Sequence, residues 1–239
     1  MRLRDRDTTR PVIAMLLYPG LTPLDLVAPH AALAPHAEVH LVWKDLLPVA
    51  SDVGMLITPT ATLNNCPVDL DVLFVPGGRD QAAVAEDQTV LEFLESRAAH
   101  ARYVTSVCGG SLILGAAGLL IGYRAATHWT GRHTLAAFGA ENVNERVVID
   151  RNRITGGGVT AGLDFGLILL AHILGEEVAR ATQLMLEYDP KPPFSTGSPE
   201  AAGPELTAMV RHLTRETAEA MDRAAETVAA RGWGRARVS

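Results

Sequence analysis

Apolar residues along this chain alternate between two spacings. Val12–Leu17, Glu38–Trp43, Asp71–Val75 and Tyr103–Val107 are short apolar runs rich in β-branched residues, the pattern of strands inside a sheet. Between and after them the spacing lengthens to that of helices. Thr22-Pro23 can cap one, with Asp25 in its first turn and Leu26 and Val27 facing the core. Residues 87–100, 109–117, 132–138, 161–174 and 176–187 read as further helices. Segment 45–63, with Pro48, Gly54 and Pro59, reads as a hairpin or irregular excursion. Val147–Asp150 and Arg153–Thr155 read as strand pieces around Arg151-Asn152. Strands alternating with helices predict an α/β domain with a mostly parallel sheet and right-handed crossovers.

The pattern also divides the chain. Residues 1–10 read as a charged, flexible leader and 11–195 as the α/β domain. Lys191–Pro199 has the composition of a linker. Over 196–239 we expect an amphipathic helix started by Ser198-Pro199, then a frayed tail from Arg231. Leu206, Met209, Val210, Leu213, Met221 and Val228 share its apolar stripe, which needs the domain or a second subunit as cover.

Composition narrows the partners. The 239 residues are 48% hydrophobic with a net charge of −6, so a nucleic-acid partner is not expected. No apolar run reaches membrane-spanning length, and the N-terminus lacks the apolar centre of a secretory signal. Cys66 and Cys108 make no disulfide framework, which points to a reduced, cytoplasmic protein. No metal-ligand cluster stands out.

Cys108 lies where a strand turns into a helix, followed by Gly109 and Gly110, which let the backbone bend. That geometry lifts a side chain out of a sheet and sets the sulfur by a helix N-terminus, favouring thiolate. A packed cysteine fits the spacing equally well. Asp25 is either a helix-dipole partner or an acid/base group at the sheet's carboxyl edge. Pro76-Gly-Gly78 makes a tight turn, or half of an oxyanion hole completed by the N–H of Gly109. His128 is a candidate partner for the thiolate or a satisfied structural histidine. Thr155–Asp164 is a glycine-rich loop without a P-loop lysine, read as packing against the Cys108 site. Cys66 reads as a bystander in a loop.

Taken together, Leu24–Val27, Val75–Gly78, Ser106–Ser111, Gly115–Leu120, Ala126–Trp129, Thr155–Asp164 and Pro192–Phe194 resemble the ThiJ/PfpI superfamily, related to class I glutamine amidotransferases. Within it the chain looks most like the isonitrile hydratase group. The resemblance covers about residues 12–195 and implies a flavodoxin-like three-layer sandwich. It implies that Cys108 attacks an isonitrile carbon to form a thioimidate, that Asp25 moves protons, and that an N-substituted formamide is released. Substrate and oxyanion contacts would come from Gly78, Gly109 and Thr160, with His128 nearby, no cofactor or metal, and a homodimer as the assembly. A small-molecule substrate is thus expected, and neither nucleic acid nor membrane. A glyoxalase- or deglycase-like enzyme and a cysteine redox or ligand sensor are the alternatives the superfamily offers. The isonitrile group carries Thr directly after its cysteine, where this chain has Gly109.

Overall fold

The computed structural model describes residues 10–232; most of the leader and residues 233–239 of the expected tail lie outside them. In chain order come β1 (Val12–Leu16), α1 (Pro23–Leu33), β2 (Glu38–Trp43), β3 (Val49–Ala50), β4 (Leu56–Ile57), β5 (Ala61–Thr62) and β6 (Val72–Val75). Next are α2 (Gln81–Glu86), α3 (Gln88–Ala98), β7 (Tyr103–Val107), α4 (Gly110–Ala116), β8 (Arg124–Ala125), α5 (Arg132–Ala137) and β9 (Glu141–Asn142). The chain continues through β10 (Val147–Asp150), β11 (Arg153–Gly156), α6 (Ala161–Leu174), α7 (Glu176–Met185), α8 (Pro199–Leu213) and α9 (Arg215–Ala230).

Seven strands form the main sheet in the order β10-β11-β7-β6-β1-β2-β5. Every pairing in it is parallel except β10 with β11, an antiparallel hairpin that turns at Arg151. Buried on both faces, the central strands read as apolar runs because no face meets water. α1, α6 and α7 pack together, as do α2, α3, α4, α5 and α9, which gives helices on both faces of the sheet. Phe165 of α6 meets Phe74 of β6 at 5.5 Å between ring centroids, and both are fully buried. Burial of one such ring contributes on the order of 2 kcal/mol.

Strands β7, β6 and β1 are neighbours, so the loops at their carboxyl ends converge. These loops carry Cys108, Pro76-Gly-Gly78 and the Tyr18–Asp25 turn. Open α/β sheets place ligands at this edge.

Three segments depart from the sequence pattern. The excursion over 45–63 splits: β3 pairs antiparallel with β4, while β5 returns to the main sheet beside β2. The helix expected over 87–100 is α3, but a short helix that the spacing does not mark, α2, precedes it; Asp87 ends α2 and its Oδ1 accepts the N–H groups of Thr89 and Val90 to start α3. The single C-terminal helix is two, α8 and α9, meeting at Thr214. Ser198 does cap α8, accepting from Ala201 N at 3.2 Å. The break divides the apolar stripe: Met221 and Val228 are buried against the domain, while Met209 and Leu213 face outward. No helix among the described residues is long and apolar enough to cross a membrane.

Candidate active site

Cys108 follows the last residue of β7 and precedes α4, with φ +58. A non-glycine residue in this left-handed region is uncommon and must be held there. The Cys108 N–H donates to the carbonyls of Gly157, at 2.8 Å, and Gly156, at 3.1 Å. The Thr127 hydroxyl donates to the Cys108 carbonyl at 2.8 Å. The glycine-rich loop after β11 thus packs against the cysteine, as expected, and grips its backbone. The bend differs in one respect from the sequence expectation: the unusual φ falls on Cys108, while Gly109 is helical at φ −67. The glycines supply space instead, since a Cβ on Gly110 would lie 2.0 Å from the Val75 carbonyl oxygen.

Asp25 sits in the first turn of α1 and is fully buried. Thr22 occupies the cap position, but its hydroxyl donates to Asp52 Oδ2 at 2.7 Å and caps nothing. The Asp25 Oδ2 accepts the Gly77 N–H at 3.0 Å, and Oδ1 has no nitrogen or oxygen partner. Gly77 is the hub of the site. A Cβ there would lie 2.4 Å from Gly109 N, 2.8 Å from Asp25 Oδ2 and 3.0 Å from Cys108 Cβ. Only a bare backbone lets these groups close up.

Carboxyl and thiol interact directly. Burial lifts the Asp25 pKa from 3.8 to about 7, against the pull of the Cys108 and Gly77 hydrogen bonds. Burial, and then the Asp25 charge, push the Cys108 thiol well above its ordinary value, with the Gly109 N–H pulling the other way. This reverses the expected acidic thiol. The helix behind the sulfur is only seven residues long, and its dipole does not offset desolvation beside a carboxylate. In the resting site the thiol therefore keeps its proton, with the Asp25 carboxyl beside it.

Cys108 opens into a cavity of about 180 Å³. Gly78, Gly109 and His128 line it, so three expected site residues meet the sulfur in one space. The turn at Gly78 pairs with Leu21 through Thr22 N–Gly77 O and Arg79 N–Gly20 O. The Gly109 N–H acts on the Cys108 sulfur, where the sequence suggests half of an oxyanion hole. His128 Nδ1 accepts from Thr130 N at 3.4 Å, which leaves Nε2 as the protonated nitrogen. Burial, then Arg132, lower the His128 pKa, so the ring is neutral.

Thr160 is a correction. It is exposed at the start of α6, where its carbonyl accepts from Arg146 Nη2 at 2.9 Å. It lines a neighbouring cleft and not the Cys108 cavity. The loop's Gly156 and Gly157 turn inward to hold Cys108, and by Thr160 the chain has reached the surface. Cys66 is buried away from this cavity, consistent with a bystander. Among the described residues no cluster of His, Cys, Asp and Glu has the form of a metal site.

Other contributors gave no sequence signal. Gln81, at the start of α2, and Leu112 of α4 line the cavity. So do Thr217, Ala218 and Met221 of α9, which therefore forms one wall. The apolar stripe could have pointed to this covering role for Met221, but not to what it covers.

Three comparisons match this arrangement. The chain is 53% identical over 192 residues to the isonitrile hydratase of Pseudomonas putida, covering 80% of this chain and 84% of that one. It is 37% identical over 143 residues to the HTH-type transcriptional regulator GbdR of Pseudomonas aeruginosa, but the match spans 38% of the regulator. Among solved structures, a ThiJ/PfpI family protein from Pseudomonas syringae superposes with a TM-score of 0.89 at 49% identity, covering 94% of this chain and 97% of that one. The profile of the DJ-1/PfpI family matches residues 12–172, which includes β1, β6, β7 and all the loops that meet at Cys108. With its doubly covered parallel sheet and the cysteine on a strained strand-to-helix turn, this chain belongs to the DJ-1/PfpI family.

Proposed function

We propose that this protein hydrates an isonitrile to an N-substituted formamide, with Cys108 as nucleophile and Asp25 as the proton carrier. The observation that carries the reading is the Asp25–Cys108 pair, closed around Gly77 beside a cavity. Similarity to the Pseudomonas putida isonitrile hydratase supports the substrate class.

The chemistry suits the pair. As an isonitrile enters, the thiol proton passes to the Asp25 carboxylate and the sulfur bonds to the isonitrile carbon. The proton held by Asp25 is delivered to that carbon, giving the thioimidate S–CH=N–R. A carboxyl with a pKa of about 7 both accepts and returns a proton near neutrality. Water then adds to the same carbon and one of its protons goes to nitrogen. The C–S bond breaks, the remaining hydroxyl proton returns to sulfur, and HC(=O)NH–R leaves. The substituent R faces Leu112, Val159, Ala218 and Met221, an apolar wall suited to an alkyl group.

The test is formamide production from cyclohexyl isonitrile by wild type and Cys108→Ser, with methylglyoxal as a parallel substrate. Turnover of the isonitrile that is lost with the thiol supports the reading. Lactate from methylglyoxal without formamide would replace it with a carbonyl enzyme. No turnover of either substrate would leave a sensor.

A further inference from the structure

Gln81 is the first residue of α2 and is only 8% exposed. Its side chain lines the Cys108 cavity, and among the described residues its amide has no hydrogen-bond partner. Its amide atoms are not sealed off without a partner but open onto the cavity, where a water or a ligand can meet them.

Its position is specific. A Cβ on Gly109 would come 1.6 Å from Gln81 Oε1 and 2.9 Å from Nε2. The amide therefore rests on the bare face of Gly109, the residue directly after the nucleophile. Any side chain at 109 would displace it, so the glycine and the glutamine are two halves of one feature. Three of the hydroxyls around the cavity are engaged elsewhere. The Thr22 hydroxyl donates to Asp52 at 2.7 Å, that of Thr134 to Asp222 at 2.6 Å, and that of Thr214 to the Val210 carbonyl at 3.0 Å. An isonitrile has an apolar substituent, which the opposite wall accommodates, and little that an amide would recognise. Water is different. A carboxamide oxygen accepts a water proton, its N–H groups can donate to the same water cluster, and it does not ionise across the working pH range.

We propose that the Gln81 carboxamide positions the water that hydrolyses the Cys108 thioimidate, in the space that Gly109 leaves open. The inference rests on the hydratase reading above. Gln81 holds the water through Oε1; the bond changes and proton transfers are those already given for thioimidate hydrolysis.

The test uses Gln81→Met, which keeps the volume and removes the hydrogen bonds, with Gln81→Ala beside it. Cyclohexyl isonitrile is the substrate, and intact-mass spectrometry follows the enzyme. Attack should proceed while hydrolysis slows, so kcat falls by roughly 10²-fold and KM falls with it. The ratio kcat/KM, which reports attack, then stays near the wild-type value, and acid-quenched enzyme gains the mass of one isonitrile. In Gln81→Ala/Gly109→Thr, the threonine hydroxyl can enter the vacated space, and turnover should recover at least about tenfold over Gln81→Ala as water is again ordered. Wild-type kcat in Gln81→Met would overturn the proposal and leave the hydratase reading standing. So would a drop in kcat/KM with no adduct, because that places the damage at the attack step. A wild-type enzyme that yields neither formamide nor adduct would remove the hydratase reading, and this proposal with it.

Discussion

Asp25 Oδ2 accepts the Gly77 N–H at 3.0 Å, which ties the first turn of α1 to the turn that follows β6. The bond sets the carboxyl beside Cys108. An asparagine at 25 can accept the same N–H through its amide oxygen, so Asp25→Asn keeps the frame and removes the exchangeable proton. A proton carrier predicts a loss of roughly 10²–10⁴-fold in kcat with the fold intact by circular dichroism. A helix-dipole partner predicts only a stability loss of about 0.3–1 kcal/mol and turnover close to wild type. Formamide production measured alongside a urea melt separates the two.

The shared proton also sets a pH profile. In the proposed mechanism the productive pair holds one proton between carboxyl and thiol, so activity would require Asp25 to have lost its own. With Asp25 at about 7 and the thiol higher, kcat/KM should rise through neutral pH to a plateau on the alkaline side. Stability should run the opposite way. The folded state keeps the Asp25 proton where the unfolded chain has released it, so this contribution is full below pH 3.8 and is lost as pH rises to about 7. Urea midpoints at pH 5 and pH 8 should differ less in Asp25→Asn than in wild type. An unchanged difference would remove Asp25 as its source.

For the free thiol, burial and the neighbouring carboxyl predict late ionisation. Thiolate absorbance of wild type minus Cys108→Ser should have its midpoint above the ordinary cysteine value of about 8.5. A midpoint below neutrality would restore the helix-dipole expectation and require the sulfur to be better solvated than its 9% exposure indicates.

Met221 of α9 forms part of the cavity wall and is 1% exposed. Shortening it enlarges a space of about 180 Å³. Met221→Ala should therefore shift preference toward bulkier isonitriles, read as the ratio of kcat/KM for a branched aromatic substrate to that for a small alkyl one. It should also destabilise the fold by about 2–5 kcal/mol. A ratio equal to wild type would mean that α9 covers the site without selecting its substrate.

Several large apolar side chains remain outside the core. Leu184 and Met185 near the end of α7, and Met209 and Leu213 of α8, are each more than half exposed. Uncovered apolar surface of this kind favours a second copy of the chain. Light scattering at micromolar concentration should return twice the 25.5 kDa of one chain; a monomer would end the homodimer expectation.

Much of this protein was written in its linear pattern. Runs rich in apolar and β-branched residues located β1, β2, β6 and β7; in β1, β6 and β7 they reflect strands buried almost throughout. Val107-Cys108-Gly109 marked the strand-to-helix turn, and Pro23 with Asp25 marked the start of α1, because both features are local. Three matters were decided by tertiary structure. Asp25 and Cys108 are 83 positions apart, and only the sheet order places their loops together around Gly77. The protonation of Cys108 depends on burial and on that carboxyl, neither of which a helix N-terminus reveals. Gln81 and α9 reach the cavity by packing between distant segments, and Thr160 leaves it by the course of its loop. A sequence pattern records which residues prefer the interior; which of them face one another across it is settled only when the helices dock on the sheet.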